Sequence, residues 1–88
     1  MANHDSAKKR IRQTERRTAR HRHVRSTVRT FIKRARQAIE AGEPKAAEVA
    51  VRAAESEIRK AISKGVFHHK TGWRYVSRLT LGASAIKA

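Results

Sequence analysis

Apolar positions along the chain recur at helical spacing in three stretches and at strand spacing in none. From Val24 they fall at Val28, Phe31, Ile32, Ala35 and Ile39, one stripe of an α-helix. Ala47, Ala50, Val51, Ala54, Ile58, Ala61 and Ile62 make a second stripe. Tyr75, Val76, Leu79, Ala83 and Ile86 make a third. Gly42 and Pro44 bracket one break between stripes, and Gly65 opens another that runs to Thr71. The first helix is therefore expected from Ser6, with the Ser6 hydroxyl capping its first turn, to about Ala41. The second is expected from Pro44, at a position where a missing N–H costs nothing, to Gly65. The third is expected from near Thr71, fraying beyond Leu81 where Gly82 weakens the last turn. Short connections between three helices predict an all-α, up-down-up bundle.

The first helix has two unlike halves. Before Val24 its only sizeable apolar residue, apart from Met1, is Ile11, so this half has almost no face to bury. The pattern thus predicts one domain over residues 1–88, in which 1–23 form a basic helical extension and 24–88 form the three-helix bundle. The bundle has about a dozen core residues larger than alanine, and a domain of this size is marginal by buried area. Without a polyanion the extension is expected to be poorly ordered, because an isolated helix this short is marginal in water.

Charge sharpens the picture. The 88 residues include 22 lysines and arginines against 7 acidic residues, a formal net charge of +15. Residues 1–36 carry a net +11, residues 37–63 a net −1, and residues 64–88 a net +5. A nearly neutral middle thus separates two basic segments, and Glu48–Arg52 and Glu55–Arg59, both at i,i+4, neutralise one another on the second helix. So large an excess is a self-repulsion that a polyanionic partner relieves, and a nucleic acid is the leading one. The longest apolar run is Val49-Ala50-Val51, too short for a membrane span or a signal-peptide core. A cytoplasmic location and no membrane partner are expected.

The candidate chemistry is thin except for the cations. Cysteine is absent, which removes disulfides, thiolate metal sites and cysteine nucleophiles. His21 and His23 lie about 200° apart around a helix, and His68 and His69 stand in the second break without acidic neighbours. No close carboxylate pair lies on the basic segments and no glycine-rich loop precedes a helix. No enzyme activity, metal, cofactor or small-molecule substrate is expected. By contrast Arg22, Arg25, Arg29, Lys33 and Arg36 follow one another at helical spacing, about 110° around the axis from the Val28–Ala35 stripe. Ahead of them Lys8, Lys9, Arg10, Arg12, Arg16, Arg17 and Arg20 surround the axis on every side. Lys8, Lys9 and Arg10 also stand at the positive end of the helix dipole, a conflict that phosphates resolve.

The four aromatic residues do not form a stacking platform of the kind single-strand binders use. Phe31 and Tyr75 fall on core stripes, Phe67 is expected to plug the bundle end, and Trp73 to pack under the connection. Contacts to phosphate and to shape suit folded RNA or duplex DNA.

Several stretches of this chain resemble one family. Met1-Ala2-Asn3 followed by Ser6-Ala7-Lys8-Lys9-Arg10, and Lys64-Gly65-Val66-Phe67-His68 leading to Ser77-Arg78-Leu79, are similar to bacterial small-subunit ribosomal protein S20. The resemblance covers essentially the whole chain. It implies a three-helix structural constituent of the small ribosomal subunit that binds 16S ribosomal RNA directly and stabilises its fold during assembly, beside other small-subunit components. It implies RNA contacts from Lys8, Lys9, Arg10, Arg12, Arg16, Arg17 and Arg20, and from Arg22, Arg25, Arg29, Lys33 and Arg36. A second group from the connection and the third helix is His68, Lys70, Thr71, Arg74, Ser77 and Arg78. The charge by itself admits an alternative, an architectural DNA-binding protein.

Overall fold

Alanine, arginine and lysine dominate the chain and glycine and proline are few, so helix propagates until one of the breaks stops it. A computed structural model describes residues 4–86. It contains α1 (Asp5–Ala41), α2 (Pro44–Ser63) and α3 (His69–Ser84), with no strand among the described residues. At 37 residues α1 is about 55 Å long by helical rise, and the molecule measures 63 × 20 × 15 Å. α1 accounts for most of that length.

α1 begins one residue earlier than the capping rule places it. His4 is the N-cap without a side-chain cap bond, and Ser6 lies inside the first turn, where its hydroxyl has no capping role. Asp5 takes the first position instead, so a carboxylate meets the positive end of the dipole. Residues 1–3, which carry part of the family resemblance, lie outside the described residues. At the other end Gly42 adopts φ 76° and its N–H donates to the Ile39 carbonyl. A left-handed position of this kind favours glycine, and Pro44 then opens α2.

The bundle core is built from two adjoining clusters. Ala35, Val51, Ala54 and Leu79 are buried together, with Phe31, Ile32, Ile39, Ala50 and Ala83 packed around them. Val28, Ile58 and Ala61 form the second, covered by Val24, Ile62, Val66, Phe67, Tyr75 and Val76. Phe67 closes this end of the bundle, edge-on to Tyr75 with ring centroids 6.0 Å apart. α2 supplies five of the buried residues, three of them alanine, because small side chains let α1 and α3 approach it from either side. Gly72 is the closest approach of all: a Cβ there would stand 2.9 Å from Ile62 Cγ1 and 3.1 Å from Ile58 Cγ2. Periodicity passed over this residue because glycine carries no apolar side chain to count.

α3 differs from expectation at both ends. It starts at His69 rather than near Thr71, since the His68 ring serves as the N-cap and its Nδ1 accepts from the Lys70 N–H at 3.2 Å. It continues through Gly82 to Ser84 instead of fraying beyond Leu81, because Ala83 packs on the first core cluster and Gly82 lies against Ile39. Ile86 follows the helix end, half-buried, and is not on a helical face.

From Lys8 to Arg20 every residue of α1 is exposed. That stretch is held by its own backbone ladder alone, with the Thr14 hydroxyl donating to the Arg10 carbonyl. Segments without tertiary burial open at the lowest free energy. In the free protein the amides of Arg12 through Arg20 are expected to exchange much faster than those of Val28 through Ile39, and to become protected when RNA is added. Equal protection of both stretches without RNA would show a helix rigid before it docks.

Candidate nucleic-acid interface

The interface follows from how α1 lies in the bundle. Val28 and Ala35 face inward, which leaves Arg29, Lys33 and Arg36 along the edge that faces α3. Those three line a groove between α1 and α3 whose floor includes Ile32, Phe67 and Tyr75. Farther along the same seam Arg36 meets Arg78 across Ile39, Leu79 and Gly82, with Glu40 as the acid at its end. The tertiary structure thus unites part of the α1 line with one residue of the second basic group. Arg22 and Arg25 continue the line, exposed, toward the extension.

The other candidates divide among separate faces. Lys8, Lys9, Arg10, Arg12, Arg16, Arg17 and Arg20 are exposed around the extension. Lys70, Arg74 and Ser77 are exposed and spaced to share the outer face of α3, away from the Leu79 side. Thr71 is half-buried. His68 has a structural role as a cap, its Nδ1 accepting from the Lys70 N–H. His68 and His69 lie ring against ring, with centroids 4.3 Å apart.

Trp73 is not packed under the connection. It is 43% exposed on the α2 side of α3, and the Arg59 guanidinium lies 5.3 Å from its ring. The same Arg59 pairs with Glu55 at 2.8 Å, so the indole is covered by a side chain already held in place. Glu48–Arg52 at 2.7 Å completes the neutralised outer face of α2. On that face most cations have an acidic partner, with Lys60 also paired to Glu57 at 3.5 Å, whereas the cations of α1 and α3 have none among the ion pairs of the described residues. Among the described residues no three histidine, cysteine or acidic side chains are grouped to hold a metal ion, and no helix is long and apolar enough to cross a membrane.

One grouping carried no sequence signal. Lys64, on the connection between α2 and α3, comes beside Arg17, Arg20 and His21 of α1. Their distance along the chain hides the relation, and only the turn after α2 creates it.

Fold and surface together describe a small all-helical protein with a strongly cationic rod and no catalytic constellation among its described residues. The chain belongs to the family described as ribosomal protein S20, whose model matches residues 2–83. It is similar to the small ribosomal subunit protein bS20 of Geotalea daltonii, 59% identical over 80 residues, which cover 91% of this chain and 92% of that protein. Its counterpart in Maricaulis maris is 48% identical over 88 residues, covering the whole of both chains. The family is one of ribosomal structural proteins, and this chain is not an enzyme.

Proposed function

We propose that the protein is a structural constituent of the small ribosomal subunit that binds 16S ribosomal RNA directly and stabilises its fold during assembly. Membership of the family over residues 2–83 supports the ribosomal role. The observation that carries the direct RNA contact is the extension: seven cations from Lys8 to Arg20 on a helix with no buried face. Such a helix is self-repelling in water and has its charges matched when phosphates surround it. The bundle then acts as the anchor. Its groove lays Arg29, Lys33, Arg36 and Arg78 along one RNA edge, and Lys70, Arg74 and Ser77 reach another from the outer face of α3. A rod with cations on all sides bridges RNA elements that would otherwise repel each other, which is how it stabilises the fold. Other small-subunit components are its neighbours through the shared RNA.

Competition tests this reading. Labelled 16S ribosomal RNA bound to the protein is challenged with unlabelled 16S RNA or with duplex DNA at equal phosphate concentration. The RNA is expected to compete and the DNA to compete weakly; equal competition would make this an architectural DNA-binding protein. Arg25→Gln with Arg29→Gln is expected to weaken RNA binding and to lower the log–log salt slope by about 2, one for each phosphate that is no longer neutralised. Both side chains are exposed, so the helical circular dichroism should not change.

A further inference from the structure

α1 leaves the bundle beside the turn that ends α2. There the N–H groups of Val66 and Phe67 both donate to the Ala61 carbonyl, at 3.0 and 3.4 Å, and fold the connection back on itself. This turn sets Lys64 against α1, in a hollow lined by Arg17, Arg20, His21 and His23 and floored by Val24 and Val66. No acidic side chain lines the hollow, and neither does any titratable group of α2 or α3. His21 is half-buried while the other four basic groups are exposed. Arg16, Arg17 and Arg20 also line a second hollow with Gln13, but from one helix alone; here two separate elements bring cations to one volume. Mutual repulsion opposes that convergence, and a single anion between them reverses its sign. The valine floor removes water from one side and strengthens each charge-assisted hydrogen bond.

We propose that this hollow binds one backbone phosphate of the RNA, gripped by Arg17 and Arg20 from one side and by Lys64 from the other, with His21 taking up a proton from solvent as the phosphate enters. The proposal rests on the RNA-binding reading and deepens it. Arginine and lysine stay charged throughout the physiological range, so they bind without proton exchange. Histidine is the side chain whose charge changes between about pH 5 and 8, and a phosphate oxygen beside it favours the imidazolium. Binding at this site is therefore linked to pH. His23 lines the same hollow, and His4, His68 and His69 lie elsewhere, so the contribution of His21 is read as a difference between proteins.

The test uses the full chain and 16S ribosomal RNA at fixed ionic strength. Between about pH 6 and pH 8 the wild type is expected to lose ~3–6-fold in affinity through this linkage, and His21→Gln to lose most of that dependence. Lys64→Gln is expected to bind ~3–10-fold more weakly while keeping nearly the wild-type salt slope, because Arg17 and Arg20 still neutralise the shared phosphate. Combined with Arg20→Gln its effect should be less than additive, because the two side chains share one phosphate. Lys45→Gln, exposed at the start of α2, is the control and should bind as the wild type does. Matching pH dependence in the wild type and His21→Gln, or wild-type affinity in Lys64→Gln, would overturn the assignment. Inorganic phosphate provides the second arm, read by the NMR signals of the His21 ring. A saturable shift at millimolar phosphate, with RNA binding unchanged in both variants, would assign the hollow to free phosphate and overturn the RNA site. Failure of the wild type to bind 16S RNA would overturn the functional reading as a whole; failure of the variants alone would overturn only this site.

Discussion

Raising salt from about 50 to about 200 mM is expected to weaken binding to 16S ribosomal RNA by ~10³–10⁵-fold, the drop that follows when about 6–10 neutralised phosphates regain their counterions. The structure supplies enough cations for that number. Seven surround the extension, Arg22, Arg25, Arg29, Lys33 and Arg36 form the line that follows, and Arg78 joins them across the groove. Arg52 and Arg59 are excluded because each is paired with a glutamate one turn away. Filter binding or fluorescence anisotropy over a salt series gives the slope directly. A nearly salt-independent affinity would mean that the rod is not wrapped by phosphates.

Ile58→Ala is the substitution expected to damage the fold most among single truncations. Ile58 is fully buried at the centre of the second core cluster, between α1 and α3. Removing its outer carbons costs roughly 2–5 kcal/mol for a site that does not collapse, against a total of only about 5–15 kcal/mol for a small domain. Thermal unfolding followed by circular dichroism should show a Tm lowered by roughly 10–30 °C. Phe31→Ala serves as the comparison. A fully buried ring would lose about 3–5 kcal/mol on such truncation, but Phe31 is only half-buried, with Arg34 lying 5.4 Å over its face. Its Tm loss should be the smaller of the two. The reverse order would move the centre of the core from α2 to the outer edge of α1.

Most of the architecture was legible in the chain because it depends on short-range rules. Spacing of apolar residues at three and four defines a helix wherever nothing interrupts it, and Gly42 with Pro44 interrupts it unambiguously. The Glu48–Arg52 and Glu55–Arg59 pairs follow from the same one-turn geometry. Errors gathered at helix ends and at single rings. Ser6 is a good cap by type, yet Asp5 one residue earlier satisfied the dipole and took the start of the helix. His68 capped α3 although histidine is outside the usual capping set. Gly82 reads as a breaker until Ile39 is found packed against it.

The chain by itself determined the charge, its division into two basic segments around a neutral middle, the three helices, and the length of the rod. Each is a property of composition or of neighbours within one turn, so no tertiary packing is needed to state it. Only the tertiary structure decided which cations share a volume. Arg36 and Arg78 face one groove because α3 packs along α1, and Lys64 joins Arg17, Arg20 and His21 because the turn after α2 folds back on Ala61. Trp73 lies under Arg59 for the same kind of reason, the rotation of α3 against α2. Helical periodicity gives the angle of a side chain around its own axis; which neighbour stands at that angle depends on how the cores of different helices close on one another.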